Sequence, residues 1–268
     1  MSISQKGVAV VTGASSGIGA IYADRLARRG YDLILVARNH GKLQEVADRI
    51  ARATGRIVQA VAADLNDKAD VKRIETLLAT DPNITMLVNN AGVGALVSLL
   101  ESNVDDMEAM IDLNVTALMR LTYAVVPAFV ARGGGTIINV SSAVAVAPEI
   151  LNGVYGGTKA FVLAFSQSLY KELADRNIRI QTVLPGATAT NFWDAAGGSV
   201  GQLPVKMVMQ GDDLVDAALA GFDQGEFVTI PSLPDAADWN AYEAARQKLI
   251  PNISLSKSPA RYRTAAAA

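Results

Sequence analysis

The chain of 268 residues is half hydrophobic and only 19% charged, with a formal net charge of −2, no cysteine and a single histidine, His40. That balance excludes global disorder and offers no electrostatic reason to expect nucleic acid or an anionic membrane surface as a partner. Without cysteine there is no disulfide framework and no thiolate metal site, and one histidine argues against a His-based zinc site or a Ser-His-Asp triad, so no metal is expected.

The N-terminal stretch "MSISQKGVAVVTG" lacks the basic start and long apolar run of a secretory signal, and no apolar run approaches the ~18 residues of a spanning helix. A cytoplasmic protein is expected. "VAVVT" (8–12) reads as the first strand and runs directly into "TGASSGIGA", with Thr12, Gly13, Gly17 and Gly19 ahead of the amphipathic "GAIYADRLARRG". Glycines at a strand-to-helix turn let backbone approach a pyrophosphate at the positive end of the helix, although they also suit a tight turn that binds nothing. The spacing is GxxxGxG rather than GxGxxG.

The second strand, "LILVA" (33–37), ends in Arg38 with no acidic residue beside it. A carboxylate there would hold the 2′-hydroxyl of NAD; an Arg suits a 2′-phosphate through charge-assisted hydrogen bonds, unless it is simply a solvated loop residue. His40, close by, reads as a surface side chain. Further strands are "IVQAVA" (57–62), "MLVNN" (86–90), "TIINVS" (136–141), "IQTVLP" (180–185) and "FVTIP" (227–231), apolar on both faces as in a covered parallel sheet. Helix-period segments lie between them. The implied fold class is α/β, a doubly wound Rossmann-type domain with a seven-stranded parallel sheet and helices on both faces, spanning residues 1–268 as one unit. Residues 191–212 have no clear period and read as a substrate lid; residues 256–268 read as a flexible tail.

"YGGTK" (155–159) places Tyr155 and Lys159 four apart, on one helix face. With "NNAG" (89–92) and "NVSS" (139–142) the chain resembles the short-chain dehydrogenase/reductase family, NADPH-preferring reductases in particular. The matching motifs run in order along nearly the whole chain: TGxxxGxG at 12–19, Asp64, NNAG, Asn114 in "DLNV", Ser142, YxxxK and "PGATAT" at 185–190.

The resemblance implies Tyr155 as the acid that protonates a carbonyl oxygen during hydride transfer, or the base in the reverse direction. Lys159 is expected to lower the phenol by ~1–3 pKa units and to bond the nicotinamide ribose. Ser142 would donate to the substrate oxygen, and Asn114 would hold a water chain to solvent or be a buried, backbone-bonded Asn. Gly13, Ser15, Ser16, Gly17, Ile18 and Gly19 would shape the phosphate loop. Arg38 would meet the 2′-phosphate, Asp64 the adenine, Asn90, Ala91 and Gly92 the adenosine ribose side and Thr190 the nicotinamide amide, with Leu65, Pro185, Gly186 and Thr188 also among the cofactor-binding residues. Gly157 departs from the family's usual small residues.

The implied function is an NADP(H)-dependent oxidoreductase interconverting a carbonyl and an alcohol, probed most cheaply by NADPH oxidation with a ketone panel. Apolar candidate pocket residues, Val144, Val146, Ile150, Leu151, Phe192, Trp193, Leu203 and Met207, point to apolar ketones or aldehydes as substrates. A binder of the same fold without turnover, acting as sensor or scaffold, has no need of the Asn114, Ser142, Tyr155 and Lys159 set. A Rossmann epimerase or methyltransferase would append more chain than follows Pro185. The helices at about 104–132 and 154–176 are apolar around much of their girth, with Leu118, Leu121, Val125 and Phe129 on the first and Phe161, Leu163, Phe165 and Leu169 on the second, so part of that surface is expected to pack against another subunit in a homodimer or homotetramer, as the resemblance implies.

Overall fold

The computed structural model describes residues 6–262, apart from the side chains of Asp194 and Ala195. The chain divides into two compact units, Met1–Ser232 and Leu233–Ala268, where sequence patterning alone implies one domain. In the first, β1 (Val8–Thr12), β2 (Asp32–Ala37), β3 (Val58–Ala62), β4 (Ile84–Asn89), β5 (Gly135–Val140) and β6 (Ile178–Val183) begin and end within two residues of the apolar runs. A two-residue pair, β7 (Thr188–Ala189) with β8 (Met209–Gln210), forms a separate small sheet, and β9 (Val228–Thr229) completes the large one. The large sheet is seven-stranded and parallel throughout, in the order β3-β2-β1-β4-β5-β6-β9. Order therefore reverses between β1 and β4, where an open α/β sheet places its ligand crevice.

Successive strand residues point to opposite faces, and each face has its own core. Ala9, Val11, Leu33 and Leu35 pack with Tyr22 and Leu26 of α1 (Gly17–Arg28), Leu43 and Ile50 of α2 (His40–Thr54), and Leu214 and Phe222 of a helix named α8 below. Val10, Ile34, Val36 and Leu87 pack with Ile74 and Leu78 of α3 (Lys68–Thr80) and with the helices after β4 and β5.

After β4 the helix is continuous from Val104 to Ala131: α4 (Val104–Ile111), a π-helical turn (Asp112–Ala117) and α5 (Leu118–Ala131). It is 28 residues long, with a mean hydropathy of 1.4 in its most apolar window. The expectation that no segment nears spanning length is therefore corrected: this helix has the length and apolarity, although its apolar stripe lies against the sheet. That packing also divides the apolar surface of the two long helices between the core and the outside. Leu121, Val125, Phe129 and Leu169 belong to the core beside the sheet, and Leu118 and Leu163 are equally buried. What remains outside is an aromatic strip in which Phe161, Phe165 and the exposed Tyr123 stack at 5.6 and 6.3 Å.

Next come α6 (Gly153–Glu172), the short α7 (Phe192–Ala195) and α8 (Gly211–Gln224). Paired side chains join α1 to α8: Arg25 grips Asp216 with two bonds of 2.7 and 3.1 Å, and Arg29 grips Asp223 at 2.8 and 2.9 Å. Bidentate geometry of this kind fixes helix register as well as adding energy. The expected lid, 191–212, consists of α7, two 3-10 turns and β8. In the second unit α9 (Ala236–Leu249) is capped by Asp235 and buries no residue. Residues 263–268 of the expected tail lie outside the described residues.

Candidate active site

The strand ends assemble the site because parallel strands bring their C-terminal ends to one edge. After β1, Gly13 and Gly17 adopt φ of +66° and +54°, in the left-handed region open to glycine. A Cβ on Gly13 would come within 2.8 Å of the Ala91 Cα, and one on Gly19 would overlap the Gly13 carbonyl. The loop is drawn to β4 by a clasp: Thr12 Oγ1 accepts from the Asn90 and Ala91 N–H groups, both at 3.0 Å, and Asn90 Nδ2 donates to the Thr12 carbonyl at 2.9 Å. Asn90 thus holds the loop as well as bordering it.

The first-turn N–H groups of α1 have no partner within the helix, and Ser16 caps it without using its hydroxyl. Ser15 and Ile18 flank this half-buried turn. These features form a cradle for an anion, and glycine at position 19 lets the loop close on itself, where a Cβ would strike the Gly13 carbonyl and Asn90 Nδ2. Thr190 closes the far side, its Cβ 3.5 Å from the place a Gly17 side chain would occupy.

Arg38 and His40 are both exposed, and the Arg38 guanidinium has no hydrogen-bond or ion-pair partner among the described residues. Asp64 folds back on Asn66, accepting its N–H at 3.0 Å. Leu65 turns its side chain into the core, so only its backbone faces the crevice.

Lys159 is drawn to the β5 end, where Nζ donates to the Val140 carbonyl at 3.1 Å and Ser141 Oγ donates to the Lys159 carbonyl at 2.7 Å. Pro185 accepts from the Ala143 N–H at 2.8 Å, and more weakly from Ser142 Oγ at 3.4 Å, holding the serine turn in place. Thr188 Oγ1 turns back to the Gly186 carbonyl at 3.0 Å. Helix α6 begins at Asn152, whose Oδ1 accepts from the Val154 and Tyr155 N–H groups; Asn152 Nδ2 also donates to the Val97 carbonyl at 2.8 Å. An Asn just ahead of a helical pattern is a capping signal that sequence reading could have used.

The glycines of "YGGTK" separate. A Cβ on Gly156 would lie 2.9 Å from the Pro148 Cβ and 3.1 Å from its Cα, so Gly156 lets the turn at 148–150 pack against the helix. Gly157 is exposed with open space around it.

Tyr155 is 5% exposed and Lys159 6%, with the ammonium over the phenol ring, 5.9 Å from its centroid. Here the structure corrects the expected tuning. Burial pushes the Tyr155 phenol above its ordinary value, with the Ser142 hydroxyl as the opposing hydrogen bond. Burial also pushes Lys159 down to about 8. The cation lies against the ring face and turns to a backbone carbonyl, so dehydration of the phenolate outweighs any help it gives.

Asn114 sits in the π-helical turn, a form frequent at functional sites, but its amide is engaged by protein. Oδ1 accepts from the Val93 N–H at 2.9 Å; Nδ2 donates to the Val93 carbonyl at 2.8 Å and to Thr158 Oγ1 at 3.1 Å. Asn114 is thus buried and bonded on both sides of its amide to the backbone of Val93. Gly92 lies beside it, where a Cβ would meet Asn114 Oδ1 at 3.0 Å and Lys159 Nζ at 3.4 Å.

Around Tyr155 the structure gathers Ala95, Met107, Met110, Val144, Leu151 and Phe192. Val146 and Leu203 are half-buried, while Ile150 and Met207 point outward. Trp193 is buried, with its indole N–H donating to the Thr188 carbonyl at 2.8 Å. Sequence reading missed Gly94, against which the Phe192 ring lies. It also missed a buried amide ladder behind the site. Asn89 Nδ2 donates to Thr122 Oγ1 at 3.1 Å and to Asn139 Oδ1 at 3.0 Å, and Asn139 Nδ2 donates to Ser166 Oγ at 2.9 Å. Polar residues inside otherwise apolar strands were its only signal.

Residues 7–198 match the family model described as short chain dehydrogenase. Among solved structures, the chain is 47% identical to a short-chain dehydrogenase from Sphingobium yanoikuyae in complex with NADPH, with a TM-score of 0.93 over 96% of this chain and 100% of that one. It is 42% identical to the bulky-bulky ketone specific alcohol dehydrogenase from Comamonas testosteroni, with a TM-score of 0.88 over 96% of this chain and 98% of that one. It is also 37% identical to human 17-beta-hydroxysteroid dehydrogenase type 3 over 68% of this chain, which spans 59% of the human protein's length.

Proposed function

The chain belongs to the short-chain dehydrogenase/reductase family, and from that premise we propose that it is an oxidoreductase that interconverts a carbonyl and an alcohol, using NADP(H) and preferring apolar ketones or aldehydes. The observation that carries this reading is the buried group of Tyr155, Ser142 and Lys159 at the same sheet edge as the glycine turn.

A bound nicotinamide dinucleotide would supply or take up the hydride, and the glycine turn with the first-turn N–H groups of α1 would hold its pyrophosphate. Tyr155 holds the proton for the carbonyl oxygen, and burial keeps that proton on the phenol at neutral pH. Ser142 orients the phenol and shares the developing charge. Lys159, with its pKa at about 8, stands near the point where it exchanges a proton at working pH. Asn114 and Thr158 position the helix turn that carries Tyr155.

Preference for NADP(H) is supported by the unpartnered Arg38 at the end of β2 and by the NADPH complex of the Sphingobium relative. Preference for apolar substrates is supported by the apolar wall around Tyr155 and by the ketone specificity named for the Comamonas relative. The protein works in the cytoplasm as a homodimer or homotetramer, joined through the aromatic strip of Tyr123, Phe161 and Phe165. The test is Tyr155→Phe. It should lower turnover of an apolar ketone by several orders of magnitude while NADPH still binds, and retention of most activity would overturn the mechanism.

A further inference from the structure

The loop after β4 carries Gly94, and α7 opens with Phe192. Their contact is too close for any side chain at Gly94: a Cβ there would fall 2.7 Å from Phe192 Cε2 and nearer still to Cζ. The same ring meets Tyr155 with centroids 5.8 Å apart and planes at 44°. Two more contacts latch this end of the lid to the loop. The Leu96 N–H donates to the Ala196 carbonyl at 3.2 Å, and Gly198 packs so tightly that a Cβ would overlap Leu96 Cδ1. Trp193, edge-on to Phe192 at 5.9 Å, is held by its bond to Thr188.

The consequence lies at the phenol. Tyr155 is 5% exposed and Ser142 9%, yet proton transfer requires the reacting oxygen within hydrogen-bonding reach of Tyr155. The Phe192 ring stands beside the phenol that the reacting oxygen must approach.

We propose that Phe192 is the gate that selects substrates for Tyr155, with Gly94 as the seat of its ring and Trp193 as the fixed post beside it. This rests on the carbonyl–alcohol reading above. When the ring swings out, an apolar notch lined by Ala95, Met107 and Val144 opens. A substrate whose apolar group refills the notch restores the lost burial. A small carbonyl compound leaves it unfilled, and a hydroxyl-rich one brings polar groups that find no partner there. The gate therefore selects for apolar bulk on one side of the carbonyl.

The chain has two tryptophans, Trp193 and Trp239, so Trp239→Phe in the full-length protein leaves Trp193 as a fluorescent reporter beside Phe192. In that background Gly94→Ala should shift Trp193 emission before any ligand is added, because carbon contacts sit at ~3.5–4 Å and the ring must move. Phe192→Ala removes the ring that selects for bulk and should lower kcat/KM for a diaryl ketone relative to acetone by at least about tenfold, the order of effect that pocket size commands. Unchanged emission in Gly94→Ala, or an unchanged ratio in Phe192→Ala with turnover intact, overturns the gate. Should Gly94→Ala fail to fold, the Phe192→Ala ratio decides alone. If the unsubstituted protein turns over no carbonyl compound at all, the carbonyl–alcohol reading itself falls, an outcome distinct from turnover with unaltered selectivity.

Discussion

Lys159 is a charge held where water cannot reach it, and Lys159→Met measures what that costs. Burial lowers its pKa from 10.5 to about 8. The unfolded chain therefore binds more protons than the folded one between those values, and stability must rise with pH across that window. Below pH 8 the folded protein carries the full cost, a shift of roughly 2.5 units or about 3 kcal/mol. At about pH 9.5 the unfolded Lys is still mostly charged but the folded one is neutral, so only about 1 kcal/mol of the cost remains. Replacement by Met also strands the Val140 carbonyl, which loses its 3.1 Å bond from Nζ. That offset does not vary with pH. The stability difference between Lys159→Met and the unsubstituted protein should thus move by about 2 kcal/mol between about pH 7 and pH 9.5, the Met variant losing ground as pH rises. Urea unfolding midpoints at both pH values give the number directly. A difference that stays constant across the range would refute the claim that burial depresses Lys159. Activity should be lost in the variant at every pH.

The two glycines between Tyr155 and Thr158 should respond in opposite directions. Gly157→Ala, into open space, should stabilise by ~0.8–1 kcal/mol and leave turnover intact, whereas Gly156→Ala, against Pro148, should cost ~1–3 kcal/mol; thermal melts read both. Arg38→Asp should erase or reverse a preference for NADPH over NADH of at least about tenfold, since a charge-assisted contact is worth ~1.5–3 kcal/mol; ratios of kcat/KM for the two cofactors check it. Tyr123→Glu places a charge in the aromatic strip with Phe165 and Phe161 and should shift light-scattering mass at micromolar concentration toward the monomer. An unchanged mass would remove the strip from the subunit contact.

Much of the molecule was legible in one dimension because strand and helix periods are local properties. The apolar runs marked six long strands to within two residues. Since parallel strands end on one edge, Gly13, Arg38, Asp64, Asn90 and Ser142, each placed just after a strand, were bound to converge. Four-residue spacing put Tyr155 and Lys159 on one face of α6. Burial, by contrast, sums over neighbours distant in the chain, and no local pattern contains it. That is why Leu121, Val125 and Phe129 looked available to a partner but lie in the core beside the sheet. For the same reason Lys159 looked like a cation that acidifies Tyr155, whereas dehydration of both groups dominates. Gly94 and Phe192 stand 98 positions apart (192 − 94); only the folding of residues 191–198 onto the loop after β4 brought them into contact and set the Phe192 ring against Tyr155.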